Sequence, residues 1–303
     1  MTSTETDTHR HAARHLSVEA EVHYQHGRPQ TAISFLRDAL RLDPDFHVAH
    51  RRIWEIHASL GNLPRIIRAF RAALAARLKS APLATSPVSG PHIEYTTLCA
   101  VDCLNPELSV AALSRSMASC KFDSVKLLTD QAVSAPGIEV VAIPTITSIE
   151  DYSHFMTKKL LHYIDTDHML YVQWDGFIID PNQWDNSFLL YDYIGARWPD
   201  ALLPDYPEHA VGSGGFSLRS RALLEALQDD EIKNVHPEDN VICRRYRPYL
   251  ERRYGIVFAD NATADRFSSE HCALEQTTFG FHGVLNLGRH LPWPEFQCFD
   301  FFD

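Results

Sequence analysis

Between residues 96 and 173, short apolar runs alternate with amphipathic stretches, and this alternation constrains the fold more than any other feature of the chain. "TTLCAVD" (96–102), "SVKLLTD" (124–130), "IEVVAIP" (138–144) and "HMLYVQ" (168–173) have the length and composition of strands. "NPELSVAALSRSMASC" starts with an Asn N-cap and a Pro at the first helical position, and "SIEDYSHFMTKKLLHYI" with a Ser cap. Both continue at helical period. Strands alternating with helices imply an α/β domain with a largely parallel sheet. Ligands bind such sheets beyond the carboxyl ends of the strands. In "HMLYVQWDGFIID" (168–180), Asp175 falls at such an end, where a carboxylate either closes a strand or holds something charged.

Upstream the pattern is different. Gly27 and Gly61, Leu36 and Phe70, and Ala39 and Ala73 are each 34 residues apart. "GRPQTAISFLRDALRLDP" aligns with "GNLPRIIRAFRAALAARL", and each block sets apolar residues at helical spacing after a turn-forming Gly. This period of paired helices resembles the tetratricopeptide repeat over roughly residues 13–79. Ala32, Leu36, Ala39 and Pro44 stand at the repeat's preferred positions, whereas Ile66 and Leu78 depart from it. Two repeats are fewer than the roughly three that stand alone. The module is therefore expected to bury a face against the next domain, a second copy of the chain or a protein partner. The expected division is a disordered polar tail (1–15), helical repeats (16–79), the linker "SAPLATSPVSGPH" (80–92) and the α/β domain (93–303).

Composition removes several function classes. The 39 acidic residues exceed the 28 basic ones, and a net charge of −11 disfavours nucleic acid and anionic membrane surfaces. No run approaches the ~18 apolar residues of a membrane span. The polar start "MTSTETDTHRHAARH" has no signal core, so a soluble cytoplasmic protein is expected. Six cysteines without a CxxC pair are expected to be reduced and mostly buried.

The chain has no GxxxxGK[ST] and no GxGxxG after the first strand, which excludes a P-loop and a classical dinucleotide site. "GSGGFSLRSR" (212–221) lacks the GxSxG spacing of a hydrolase elbow. Its Gly212, Gly214 and Gly215 fit either a tight turn or bulge beside a strand, or close backbone approach by a ligand. In "HPEDNVICRRY", Pro237 begins a helix with Glu238 and Asp239 in its first turn. Such acids either complement the helix dipole or form a pair aimed into a cleft, one of them a general base. In "FGFHGVLN", His282 is either a hydrogen-bonded core residue or a ligand. Lys158 and Lys159 are either solvated or available to a phosphate, and Trp174 and Trp198 adjoin the motifs closely enough to line a site.

In order, "QWDGFII", "YDYIGARW", "VGSGGFSLRSR", "PEDNVIC" and "FGFHG" resemble a little-characterised GT-A-like glycosyltransferase family over about residues 93–290. The resemblance implies a Rossmann-like sheet that takes a nucleotide-sugar donor, most readily a UDP-sugar, and a glycan, small-molecule or peptide acceptor. It implies Asp175 and His282 as ligands of Mn²⁺ or Mg²⁺. It implies Asp239 as the base of an inverting transfer, with Glu238 as alternate. Gln173, Trp174, Lys158, Gly214, Gly215 and Phe216 would lie along the donor. One departure weakens the metal site: Gln173 stands two residues before Asp175, where many members have a second Asp. A diphosphate brought to an acidic protein still needs a cation, because two unit charges 4 Å apart interact by about 4 kcal/mol at an effective dielectric of 20. Two other readings compete: a non-catalytic sugar- or nucleotide-binding interaction protein on a repeat scaffold, and a metal-dependent hydrolase or nucleotidyltransferase.

Overall fold

The computed structural model describes residues 3–43, 46–62, 64, 67, 68, 71, 88, 90–199, 209–233, 235–272 and 276–290. The chain forms two compact units, residues 1–76 with 284–303, and residues 77–283.

The first unit is helical. Helix α1 (Ser3–Gln25) turns back into α2 (Pro29–Leu42), and α3 (His47–Ser59) follows. Gly27 and Gly61, at matching places in the two sequence blocks, both have φ +71°, a left-handed turn that suits glycine. Ala32, Leu36 and Ala39 bury one stripe of α2 against Ala13 and Ala20 of α1 and Ile53 and Ile56 of α3. From Ser3 onward, the tail expected to be disordered over 1–15 is instead the first part of α1. It contains no Gly or Pro, and Ala13 is fully buried in the helical core, which anchors the turns before it. Most of the second helix of the second block (Ile66, Phe70, Ala73 and Leu78) lies outside the described residues, as do Pro44 and residues 80–87 of the expected linker. The expected domain end also shifts. Helix Val284–His290 packs on α3 and buries Val284 and Leu287, so residues from 284 onward join the helical unit rather than the α/β domain.

The second unit is α/β. Its large sheet contains β1 (His92–Val101), β2 (Lys121–Thr129), β3 (Glu139–Ala142), β4 (His168–Val172), β6 (Tyr193–Ile194) and β7 (Phe216–Ser220), in the order β3-β2-β1-β4-β7-β6. A small sheet pairs β5 (Phe177–Ile178), β9 (Gly280–Phe281) and β8 (Ser268–Ser269) in the order β5-β9-β8. Helices α4 (Pro106–Ser119) and α5 (Ile149–Lys158) make two of the crossovers. The Ser148 hydroxyl caps α5 by accepting from Asp151 N at 3.0 Å. Asn105 makes no side-chain cap; Asp102, at the end of β1, accepts from Leu104 N, Asn105 N and Ser109 Oγ instead.

The sheet is mixed rather than largely parallel. β1 to β4 run parallel, while β7 returns antiparallel to β4 and β6 antiparallel to β7. The architecture is compatible with a Rossmann-like domain. The chain steps outward through β1, β2 and β3, then crosses to the far side of β1 for β4. The strand order therefore switches between β1 and β4, which is where the general rule for such sheets puts a ligand, beyond the carboxyl ends of these strands. Alternate residues of β4 feed two cores. Met169 and Tyr171 pack with Phe155, Leu160 and Leu224; Leu170 and Val172 pack with Leu98, Phe216 and Leu218. The cysteines at 99, 103, 120, 243 and 272 are free thiols. No described helix is long and apolar enough to cross a membrane.

Candidate functional site

The register of two short ladders assembles the site. Val172 pairs with Phe216, which brings Gln173 opposite Gly215, and Gln173 N donates to Gly215 O at 2.8 Å. Four residues after Gln173, β5 begins, and Phe177 pairs with Phe281. Because that pairing is antiparallel, the residues just before Phe177 lie beside those just after Phe281. Gly283 N donates to Asp175 O at 3.1 Å as a result. On the other side of β9, β8 runs parallel with Ser269 opposite Phe281, so Glu270 follows Ser269 to the flank of His282. His282 is thus enclosed between Asp175 and Glu270, residues more than a hundred and about a dozen positions away in sequence.

The imidazole is tightly engaged. Its Nδ1 lies 2.8 Å from Glu270 Oε1, and its Nε2 lies 3.1 Å from Gln173 Oε1 and 3.3 Å from Asp175 Oδ1. Burial disfavours the charged ring, but the Glu270 and Asp175 carboxylates outweigh it and raise His282 well above the ordinary histidine value. Burial alone would raise Glu270 too; the facing His282 instead depresses it to about 2. Ser213 Oγ donates to the second Glu270 oxygen. Gln173 continues the network, its amide nitrogen donating to Tyr152 Oη at 2.9 Å, and Tyr152 meets Tyr171 Oη at 2.7 Å.

The neighbouring Gly-rich segment binds the second acidic pair. Gly214 N donates to Asp239 Oδ2 at 3.3 Å, and Asn240 N donates to Asp239 Oδ1 at 2.7 Å. Pro237 stands at the N-cap of a short helical turn, Glu238–Asn240, which continues into a wider turn over Val241–Arg245. Asp239 is half-buried; Glu238 is 5% exposed and points inward, 3.5 Å from Arg219 Nη2. Burial raises the Glu238 carboxyl, and the Arg219 guanidinium opposes that rise.

Two glycines are dictated by these contacts. A Cβ on Gly215 would lie 2.1 Å from His282 Nε2, and one on Gly214 would lie 2.8 Å from Glu238 Oε1. The close approach that the Gly-rich motif permits is therefore to the protein's own His282 and Glu238. Phe216 lies fully buried in an aromatic cluster with Phe267 and Phe279, away from any donor contact, because its side chain faces the core side of β7. Lys158 also leaves the site: its ammonium caps α6 (Arg221–Ala226) and the turn after it by donating to Leu227 O at 2.5 Å and Asp229 O at 2.8 Å. Trp174 is half-buried beside Asp175. Trp198 is buried, with the Arg244 guanidinium 3.9 Å from its ring centre, so that face is covered. Glu270, Arg219, Ser213 and Tyr152 join the site without having been singled out in the sequence. Arg219 alone left a trace, as a charged residue inside the strand "FSLRS".

The donor set bears on a metal ion as follows. Among the described residues, no group of three or more His, Cys, Asp and Glu side chains is arranged to hold one. Two protein ligands remain possible. With Nδ1–H held by Glu270, a neutral His282 turns the Nε2 lone pair toward Asp175 Oδ1 and Gln173 Oε1. Three acceptors then converge, an arrangement that requires a positive charge, either a proton on Nε2 or a cation. A carboxylate behind a ligating imidazole is also the usual support of a metal-bound histidine. The two residues would suit a divalent cation only if it took most of its ligands from elsewhere, such as water.

Residues 137–282 match a family described as "Protein of unknown function (DUF5672)". The matched segment contains Gln173, Asp175, Gly214, Glu238, Asp239 and Glu270 and ends on His282. No curated protein matches the chain.

Proposed function

We propose that the α/β unit is a GT-A-like glycosyltransferase that moves a sugar from a nucleotide-diphosphate donor to a hydroxyl acceptor with inversion. One observation carries the reading: adjacent glycines touch both halves of the constellation. Gly215 meets the His282 ring, and Gly214 meets Asp239 and Glu238. Ligand-binding and proton-accepting groups thus lie one residue apart, next to the carboxyl end of β4. Asp239 is the base. Backbone N–H groups fix both of its oxygens, and an ionised carboxylate so held retains lone pairs for the acceptor's proton. As the acceptor oxygen bonds to the anomeric carbon, the bond from that carbon to the diphosphate breaks, and the hydroxyl proton passes to Asp239. Glu238, buried and turned toward Arg219, is the less accessible of the pair. Asp175 and His282 would hold Mn²⁺ or Mg²⁺, which when bound would offset the charge of the leaving diphosphate. Gln173 and Trp174 flank the donor, a UDP-sugar being the first to try.

The helical unit is proposed as a tetratricopeptide-like module that holds a protein or peptide partner. Its support is the repeated Gly turn and the buried Ala32, Leu36 and Ala39 stripe.

The test is calorimetry of nucleoside diphosphates with Mn²⁺ and with chelator, followed by product analysis with the matching nucleotide sugar. Divalent-dependent binding and release of free nucleoside diphosphate are expected. Pyrophosphate or sugar phosphate as product would overturn the reading in favour of a hydrolase or nucleotidyltransferase. Binding without turnover would favour the non-catalytic interaction protein, which the absent second Asp beside Asp175 supports.

A further inference from the structure

Arg219 is the largest fully buried side chain among the described residues, and burying a guanidinium is costly unless it is paired. It sits on β7 between Tyr171 of β4 and Tyr193 of β6, with both rings 5.5 Å from its guanidinium carbon. Neither end of the sheet needs a charge there, and an apolar residue would fill the layer more cheaply. Its polar contacts are specific. Nε donates to Ser217 Oγ at 3.1 Å, and Nη2 reaches Gly214 O at 3.4 Å and Glu238 Oε1 at 3.5 Å. Ser217 Oγ in turn donates to the same Gly214 carbonyl at 3.0 Å. The backbone is therefore held on both sides of the Gly214 Cα. Arg219 and Ser217 hold the Gly214 oxygen, and the Gly214 N–H points to Asp239 Oδ2. The path closes on itself, since Glu238 is bonded to Asp239 in the chain and ion-paired to Arg219.

We infer that Arg219 is a positioning residue, which orients Asp239 by fixing the backbone on either side of the Gly214 Cα and by tying down Glu238. The inference rests on the glycosyltransferase reading for the role of Asp239, though not for the existence of the clamp. Arg219 touches no reacting atom. Its effect passes through Gly214: the oxygen it holds and the N–H that meets Asp239 belong to the two peptide planes that join at the Gly214 Cα, so releasing the oxygen frees the glycine's φ and ψ, and with them the N–H and the direction in which the Asp239 oxygens present their lone pairs. A small misdirection of a base lowers turnover without changing donor contacts.

A single Arg219→Met change would leave Glu238 buried and unpaired, and the protein could fail to fold for that reason alone. The informative variant is Arg219→Met with Glu238→Gln, which removes both charges, compared with Glu238→Gln alone. Two measurements are made on the full chain: steady-state kinetics with the donor, and hydrogen exchange of the peptide covering residues 213–217. The clamp predicts that the double variant folds, keeps the donor KM within about twofold and loses at least tenfold in kcat relative to Glu238→Gln. It also predicts faster exchange at Gly214. Equal kcat in the two variants would reduce Arg219 to a counter-ion of Glu238 and overturn the inference, as would unchanged exchange. Should the unmodified protein transfer no sugar, the exchange measurement still decides whether the clamp exists, and the failure belongs to the glycosyltransferase reading.

Discussion

Gly215→Ala is the sharpest single test of how the site is built. The new methyl carbon would sit 2.1 Å from His282 Nε2 and 2.3–2.4 Å from the two adjacent ring carbons, well inside contact distance. The obstacle is a ring rather than the free end of a flexible chain. Glu270 fixes Nδ1 at 2.8 Å, and β9 fixes the backbone through His282 N donating to Ser269 O at 3.0 Å. Gly215 has little room to retreat, because its carbonyl accepts from Gln173 N in line with the β4–β7 ladder. Overpacking of this kind costs about 1–3 kcal/mol. The assay is urea denaturation followed by tryptophan fluorescence, with the midpoint of Gly215→Ala compared with that of the unmodified protein. His282→Ala, alone and combined with Gly215→Ala, completes a cycle. The second change opens the space that the methyl needs, so the two costs should fall short of additive by about 0.5–3 kcal/mol, the range for residues in contact. Additive costs would mean that the ring is not what excludes a side chain at Gly215, and the account of the Gly-rich motif would fail.

Asp239→Asn keeps the shape and, through its one amide oxygen, a single N–H contact, but removes the basicity; it should lower turnover by about 10²–10⁴-fold with donor affinity nearly unchanged, read from kcat and KM. Asp175→Ala should abolish the difference between Mn²⁺ and chelator in nucleoside-diphosphate binding by calorimetry, and equal affinity in the two conditions before mutation would remove the metal from the site. The Asp185 carboxyl is depressed to about 2 by its hydrogen bond from Arg266 and by Ser187 N, so it adds stability above its unfolded value near about 4 and loses that contribution as pH falls toward about 2. Asp185→Asn should therefore be less stable than the parent at pH 6, with the difference shrinking below pH ~4 and vanishing in acid unfolding curves only below pH ~2.

Much of the α/β fold could be read from the chain because its signals are local. Each of the four early strands is an apolar run bounded by a cap or turn residue, and β1, β2, β3 and β4 fall where those runs lie. The reversed direction of β7 could not be read, because "GFSLRS" has the same alternation whichever way it pairs. The helix from Ser3 was missed for a related reason. A polar sequence without breakers has no intrinsic preference strong enough to call, and only the burial of Ala13 in a tertiary core decides it. Val284 and Leu287 likewise carry no mark of which unit they will join.

The site was legible in parts, and the parts that were not explain why its chemistry is ambiguous from sequence. Asp175 is visible because it interrupts an apolar run, and Glu238–Asp239 because Pro237 announces a turn. Glu270 is invisible because nothing in "SSEHC" distinguishes it from a surface acid. Its role comes from one parallel pairing, Ser269 with Phe281, in a sheet of two-residue strands. That pairing changes the meaning of His282. Facing Asp175 alone, the imidazole would be one partner of an ion pair. With Glu270 behind it as well, Nδ1–H is fixed and the other nitrogen is left among acceptors, so the centre needs a cation whichever form it takes. A proton satisfies that need in the free protein. A divalent ion would satisfy it with a diphosphate present, and the exchange of one for the other would release a proton on binding. Nucleoside-diphosphate calorimetry in Mn²⁺ with buffers of different ionisation enthalpy measures that release. A heat that does not depend on the buffer would mean that His282 keeps its proton and that the cation, if bound, lies elsewhere.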